Sequence, residues 1–143
     1  MIENSNIEQV KRLLKNEETP KIIVAQDDSF NRKILENGGF DVLLSIEKGN
    51  RKNKVRQTDS GLNHVLAKIA SKKNIAIGIN LEELKVLDLK EKAERLAKIM
   101  ENVKICRKTK TKIAIKSKSI KKGKDFIEGI GASTLQVKEV III

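Results

Sequence analysis

The chain has 143 residues, of which 39% are hydrophobic and 34% charged, the composition of a single folded domain with a sizeable core. Thirty Lys and Arg residues against nineteen Asp and Glu residues leave a formal net charge of +11, which favours a polyanionic partner, above all nucleic acid. No apolar run approaches the roughly 20 residues that cross a bilayer, so we expect no membrane partner. A lone Cys106 and an N-terminus without a secretory pattern favour the cytoplasm.

Aromatic side chains are nearly absent, since Phe30, Phe40 and Phe126 are the only three. This scarcity argues against a stacking platform for single-stranded bases. It favours contacts to the phosphates and sugars of folded RNA.

The first part of the chain alternates between helical and strand patterns. Apolar spacing predicts a helix over residues 5–15, a buried strand over 21–26 and a helix over 29–37 that ends at Gly38. A second strand is predicted at 42–46, followed by a polar, basic loop over 48–58.

The second part continues this alternation. Asp59 and Ser60 are predicted to cap a helix whose apolar face includes Leu66 and Ile69. A strand at 75–79, a long helix at 88–108 and a strand at 112–116 follow, with a short helix at 125–130. Residues 136–143 could form a second helix or a terminal strand, and the β-branched end of the chain favours the strand.

Strands that alternate with helices predict an α/β fold with a parallel sheet and right-handed crossovers in one domain over residues 1–143. An open doubly wound sheet and part of a (β/α) barrel both fit this alternation. Each architecture places its functional loops at the carboxyl ends of the strands.

Two clusters of basic residues follow predicted strands. The first loop contains Lys48, Arg51, Lys52, Lys54 and Arg56, and the region after the fourth strand contains Lys116, Lys118, Lys121 and Lys122. Because the carboxyl ends of parallel strands meet at one edge, we expect both clusters to face the same partner there. A charge run is often only a solvated face, but two runs at one edge favour contacts to phosphate.

Catalytic candidates are few. His64 is the only histidine, so the several ligands of a metal-dependent barrel hydrolase are missing and no metal or other cofactor is predicted. His64 could act as a general base, but a hydrogen-bonding or packing role beside a loop is the simpler interpretation. Cys106 is interpreted as an inert small residue on a helix.

One stretch resembles a known family. Arg56, followed by the Asp59–Ala67 run DSGLNHVLA and a strand ending at Asn80, resembles the ribonuclease P protein component 3 family, the 30-kDa subunit of the archaeal and eukaryotic enzyme. The strand–helix–strand before this motif and the segment Glu101–Lys104 are also similar to that family. The resemblance covers about residues 20 to 140 and is most specific at 56–80.

The resemblance implies a TIM-barrel-like (β/α) fold of the PHP-related type without the metal site. It implies a non-catalytic RNA-binding subunit of ribonuclease P, an endoribonuclease whose RNA removes the 5′ leader from precursor tRNA. The expected partners are the ribonuclease P RNA and protein component 2, with precursor tRNA met indirectly. Arg56, Asp59, Ser60 and His64 would then form the corner that meets RNA or component 2.

The chain also departs from the family pattern. One helix precedes the first predicted strand, so we expect an incomplete or open barrel that lacks N-terminal strands. After the fourth strand the family's small-residue turn is replaced by lysines, and only Asp125 is kept. Two alternatives therefore stay open: a degenerate PHP-type phosphoesterase using His64 and Asp59 as an acid–base pair, and a basic ribosome-associated RNA-binding protein.

Overall fold

The computed structural model describes residues 1–49, 51 and 58–143. Their elements are α1 (Ile7–Leu14), β1 (Ile22–Val24), α2 (Asp28–Asn37), β2 (Val42–Leu44), α3 (His64–Lys72), β3 (Ala76–Asn80), α4 (Leu81–Lys85), α5 (Leu89–Thr109), β4 (Ile113–Lys116), α6 (Ile120–Gly129), α7 (Thr134–Glu139) and β5 (Ile141–Ile142). Among these helices none is long and apolar enough to cross a membrane.

The five strands form one parallel sheet in the order β1-β2-β3-β4-β5. This arrangement confirms the predicted α/β class. Ile2 adds a parallel bridge to Ile23 on the outer side of β1. Within the described residues, no pairing joins β1 to β5, so a closed barrel is not confirmed.

The two faces of the sheet pack differently because strand side chains alternate between them. One face carries Ile23, Leu43, Ile77 and Ile115, which join the helices in the main hydrophobic core. The other face carries a small cluster in which Val42, Ala76 and Ala114 contact each other, with Ile22 and Ile143 against them. The helices therefore pack against one face, and a smaller apolar cluster lies on the other.

Gly78 is part of that small-residue face. A Cβ atom there would lie 2.6 Å from Cγ1 of Val42 and 3.0 Å from Cδ1 of Leu44. Because so close a contact forces neighbouring atoms apart, the glycine allows β2 and β3 to pack at this point.

Side-chain caps set where the helices begin. Each described helix follows a residue whose side-chain oxygen accepts a hydrogen bond from a backbone N–H of the first turn. These residues are Asn6, Asp27, Asn63, Asn80, Asp88, Ser119 and Ser133.

Three predicted elements differ from the structure. Helix α3 begins at His64 with Asn63 as its cap, so the prediction that Asp59 and Ser60 cap it is wrong. Helix α4 was not predicted, and α6 begins five residues before the expected helix at 125. The end of the chain forms both the short helix α7 and the strand β5, rather than a strand alone.

Candidate nucleic-acid interface

The carboxyl ends of β1 to β4 form one edge of the sheet, called here the carboxyl edge. Lys48 and Arg51 follow β2 at this edge, while Lys116 and Lys118 lie at the end of β4. Three members of the first basic cluster, Lys52, Lys54 and Arg56, lie outside the described residues.

Arg51 is held between carboxylates rather than presented to solvent. Its Nη2 lies 2.7 Å from Oδ1 of Asp28 and its Nη1 lies 3.3 Å from Oδ1 of Asp59, and only 8% of the side chain is exposed. Burial opposes the charge, but hydrogen bonds and attraction from Asp28 and Asp59 outweigh it and raise the pKa of Arg51. Arg51 therefore links the first residue of α2 to the 58–63 segment.

The corner predicted from Asp59 to His64 is an irregular turn before α3. Oδ1 of Asp59 accepts a hydrogen bond from the N–H of Gly61, and the buried hydroxyl of Ser60 donates to the carbonyl of Leu62. Gly61 has a φ of +81°, and a Cβ atom there would collide with the carbonyl oxygen of Ile46. Glycine is thus required by both the backbone conformation and the close packing.

His64 is the first residue of α3 and its side chain is exposed. Asp59, its partner in the acid–base alternative, contacts Arg51 and accepts a hydrogen bond from the N–H of Gly61. The corner is therefore a turn held by the contacts of Asp59 with Arg51 and Gly61, and the imidazole of His64 is exposed to solvent.

Helix α5 anchors both sides of the basic loop. Arg95 contacts Glu47 before the loop, the Nζ of Lys98 donates to the carbonyl of Arg51, and the Nδ2 of Asn102 donates to the carbonyl of Ser60 after it. Positions 95, 98 and 102 share one helical face because they are separated by three and four residues. One stripe of α5 thus fixes the flanks of residues 52–57.

A buried ion-pair network lies beneath this edge. Glu47 is 2% exposed and its Oε1 lies 2.7 Å from Nη2 of Arg95. Oε1 of Glu83 lies 3.0 Å from Nη1 of Arg95 and 2.8 Å from Nζ of Lys48. Because each charge has an opposite partner, the network is tolerated at a depth where an unpaired charge would be very costly.

The pKa values within this network follow from those contacts. Burial favours the neutral form of Glu83, but the hydrogen bond from Lys48 and the charges of Arg95 and Lys48 hold its pKa below the ordinary value. Burial likewise opposes the charge of Arg95, yet its contacts with Glu47 and Glu83 raise the pKa of Arg95. Both groups stay charged at neutral pH.

Helix α4 connects the two basic clusters. Glu83 contacts Lys48 after β2, and Oε1 of the neighbouring Glu82 accepts a hydrogen bond from the backbone N–H of Lys118 at 3.0 Å. That backbone hydrogen bond, together with Lys85, lowers the pKa of Glu82. The expectation that both loops open onto one edge agrees with this arrangement.

The lysines after β4 differ from Lys48 and Arg51 in their surroundings. Lys118, Lys121 and Lys122 are exposed, and Lys116 is half-buried. In the part of the chain that the structure describes, no carboxylate lies within ion-pairing distance of these four side chains. Among the described residues of this edge, Lys48 and Arg51 are therefore paired with carboxylates, whereas the four lysines after β4 are not.

Two clefts lie on either side of the Arg51 ion pairs, one of about 510 Å³ and one of about 360 Å³. Both are lined by Asp28 and Asp59, and the first also by Lys48 and Gln26. Across residues 1–49, 51 and 58–143, no three His, Cys, Asp or Glu side chains are grouped to hold a metal ion. Burial raises the pKa of the Cys106 thiol to about 12, as expected for an inert core cysteine.

Sequence reasoning missed five residues that build this site: Asp28, Glu47, Glu83, Arg95 and Asn102. Four of them are ordinary charged residues of helices or loops, and nothing in the local sequence pairs them. The exception is Asn102, which lies in the Glu101–Lys104 segment already noted for its family resemblance. Its contact with Ser60 shows that two separate motif segments meet in space.

Known proteins are similar to this chain in sequence and in fold. A curated Ribonuclease P protein component 3 of Methanococcus vannielii is 29% identical over 128 residues, covering 90% of this chain and 50% of the relative. A protein of the same name from Methanococcus maripaludis is 26% identical over 113 residues, covering 79% of this chain and 46% of the relative. No family model matches the chain.

A solved structure is also similar. A chain in the cryo-EM structure of archaeal Ribonuclease P with mature tRNA superposes with a TM-score of 0.78 and 25% identity, covering 96% of this chain and 61% of that chain. The resemblance to ribonuclease P protein component 3 is thereby confirmed. The chain spans about half the length of the curated relatives it matches.

Proposed function

We propose that this chain is a non-catalytic protein subunit of ribonuclease P that supports the catalytic RNA in removing the 5′ leader from precursor tRNA. The observation that carries this proposal is the similarity of fold over 96% of the chain, at a TM-score of 0.78, to a chain of an archaeal ribonuclease P complex. The curated relatives that share the sequence carry the name of one subunit of that enzyme.

The fold that we propose is an open (β/α) barrel of the PHP-related type. Parallel strands in chain order, with helices against one face only, are the arrangement of a (β/α) barrel. The small residues Val42, Ala76 and Ala114 on the other face occupy the place of a barrel interior. In such folds the carboxyl edge is the functional side.

The carboxyl edge has two parts with different roles in this proposal. Near β4, the exposed Lys118, Lys121 and Lys122, together with Lys116, contact RNA phosphates because their charge is not neutralised. Near β2, Lys48 and Arg51 hold the loop that carries Lys52, Lys54 and Arg56. In this proposal Lys52, Lys54 and Arg56 contact phosphate, while α5 holds the residues on both sides of them.

The corner formed by Asp59, Ser60 and His64 meets either the RNA or protein component 2. Its exposed imidazole and the hydrogen-bonded turn beneath it offer one donor or acceptor in a fixed position. Precursor tRNA is then met through the RNA subunit. The complex as a whole carries out the hydrolysis. The proposed localisation of the chain is the cytoplasm.

A direct test separates this proposal from the phosphoesterase alternative. The purified chain, with Mg²⁺, Mn²⁺ or Zn²⁺ added in turn, is assayed with a phosphodiester substrate and with precursor tRNA. We expect no turnover by the chain alone and tight, salt-sensitive binding to ribonuclease P RNA. Turnover that the His64→Ala substitution abolishes would show that the chain is itself an enzyme.

A further inference from the structure

The edge of the sheet opposite the carboxyl edge, called here the amino edge, carries a second group of basic residues. We propose that this amino-edge basic surface binds the phosphate backbone of a second segment of structured RNA. The surface consists of Lys72, Lys73, Arg107, Lys108, Lys110 and Lys112, all exposed. The inference deepens the proposed function and rests on it, because it assumes that the chain works on RNA.

Two helices and two strands bring these residues together. Helix α3 ends at Lys72 and α5 ends at Thr109, immediately before β3 and β4 begin. The hydroxyl of Ser71 donates to the carbonyl of Lys110 at 3.3 Å, and the hydroxyl of Thr111 donates to the carbonyl of Ala67 at 2.8 Å. These two hydrogen bonds join the ends of the helices, so residues distant in sequence form one surface.

The charge of this surface is not neutralised by its own segments. No Asp or Glu occurs between Asp59 and Glu82, or between Glu101 and Asp125. Among the described residues, none of the six side chains forms an ion pair. Asp41, just before β2, and Glu139, just before β5, are acids at this edge. Oδ2 of Asp41 accepts a hydrogen bond from the backbone N–H of Lys21, and among the described residues neither carboxylate forms an ion pair with the six basic side chains.

Compensation of helix dipoles explains only part of this pattern. A basic residue in the last turn of a helix is favourable by about 0.3–1 kcal/mol, and one or two per helix would suffice. The loop position Lys112 lies beyond the last turn of α5. Lys110 adopts a left-handed φ of 58°, where Gly or Asn is less strained. Lysine at that position is better explained by its charge.

The chemistry of the surface favours RNA. The segments 71–74 and 107–112 contain Ser, Thr, Asn, Lys and Arg, with neither an aromatic nor an exposed apolar side chain to enter a lipid surface. Lysine and hydroxyl groups without aromatic residues suit the phosphates and sugars of a folded RNA.

The amino edge and the carboxyl edge are far enough apart to act separately. Strand β4 has four residues and so spans roughly 13 Å between Lys112 and the lysines after Lys116. That distance exceeds the Debye length of about 8 Å at physiological salt. The chain can therefore hold two phosphate backbones at once, one on each edge of the sheet.

The experiment compares three full-length variants that each lose three positive charges. Lys72, Lys108 and Lys112 are replaced by Gln at the amino edge, and Lys118, Lys121 and Lys122 at the carboxyl edge. Lys11, Arg32 and Lys33 on α1 and α2 are replaced by Gln as the control for net charge. Binding to a short RNA duplex and to ribonuclease P RNA is measured against salt, after circular dichroism has verified that each variant is folded.

We expect the amino-edge variant to lower the slope of log K against log salt by about two to three, since each lost phosphate contact removes about one released counterion. On ribonuclease P RNA, a further variant that combines the amino-edge and carboxyl-edge substitutions should show the sum of their separate effects. If the amino-edge variant shows the same salt dependence of RNA binding as the α1–α2 control, the inference is overturned. The proposed function still stands in that case if the carboxyl-edge variant weakens binding. A wild-type chain that binds neither RNA overturns both.

Discussion

Gly61 shows how one residue can fix the corner before α3. Its φ of +81° is one that side chains disfavour, and a Cβ atom there would lie 2.9 Å from Cζ of Arg51 as well as against the carbonyl of Ile46. Any larger residue must disturb the Arg51 ion pairs that join Asp28 to Asp59. The glycine in the Asp-Ser-Gly motif is therefore explained by packing and backbone conformation rather than by direct contact with a ligand.

Gly61→Ala should lower the free energy of unfolding by about 3 kcal/mol, because strain and overpacking act together. Gly131→Ala is the matched control: its φ is +94°, but nothing lies within 4 Å of the added Cβ. It should cost only about 1 kcal/mol, which is the strain alone. Urea denaturation of both variants measures the difference. Equal losses would show that the corner is not closely packed around Gly61.

At the scale of elements, α5 does more than cover the sheet. Its side chains at 95, 98 and 102 reach Glu47, the carbonyl of Arg51 and the carbonyl of Ser60, so the helix fixes both flanks of the basic loop. Short α4 extends this support, because Glu82 and Glu83 contact the two basic segments. The two helices together thus hold the residues on both sides of positions 52–57.

Arg95→Met should destabilise the protein by about 3 kcal/mol, because it leaves the carboxylate of Glu47 buried without its cation. Arg107→Met, at an exposed position of the same helix, serves as the control and should change stability by less than 0.5 kcal/mol in either direction, roughly the range of surface substitutions. Adding Glu47→Leu to Arg95→Met should recover much of the loss. If Arg95→Met alone is as stable as the control, the network does not contribute to stability.

Glu83 gives the network a dependence on pH. Its pKa is lower in the folded chain than the ordinary 4.5, so its charged form stabilises the fold above that value, and this contribution is lost as the pH falls through the folded pKa. Glu83→Gln should therefore cost about 1 kcal/mol at pH 7 and progressively less below about pH 4.5. Unfolding measured from pH 7 to pH 3, with the exposed Glu94→Gln as control, tests this. A pH-independent difference would contradict it.

The sequence predicts the sheet well because its strands are short Ile- and Val-rich runs at the spacing of βα units. The start of α3 was missed because Asp59, Ser60 and Asn63 can all act as caps. Long-range contacts decide among them, since Arg51 holds Asp59 and Asn102 holds the carbonyl of Ser60. No local pattern contains that information.

The basic clusters were predicted from composition, but the neutralisation of Lys48 and Arg51 was not. Asp28, Asp59 and Glu83 come from three different segments and meet Arg51 and Lys48 only in the folded chain. The run from Arg107 to Lys124 looks continuous in sequence, yet β4 divides it between opposite edges of the sheet. Charge counting alone cannot distinguish lysines that bind phosphate from lysines that hold a loop.

As a whole molecule, the described chain is a five-stranded parallel sheet with basic residues at two edges and helices packed against one face. Its similarity to ribonuclease P protein component 3 covers 90% of the chain and 50% of one curated relative. The proposed function therefore requires that this span by itself supports the catalytic RNA. That requirement is the central claim to be tested.

Reconstitution tests the claim most directly. Ribonuclease P RNA and protein component 2 are mixed with the full chain, and cleavage of precursor tRNA is measured under single-turnover conditions. We predict that the chain increases the rate of 5′-leader removal only when the RNA is present, and that Lys118→Gln, Lys121→Gln and Lys122→Gln together reduce this increase. An unchanged rate with the chain added, while the RNA and component 2 are active, would contradict the account.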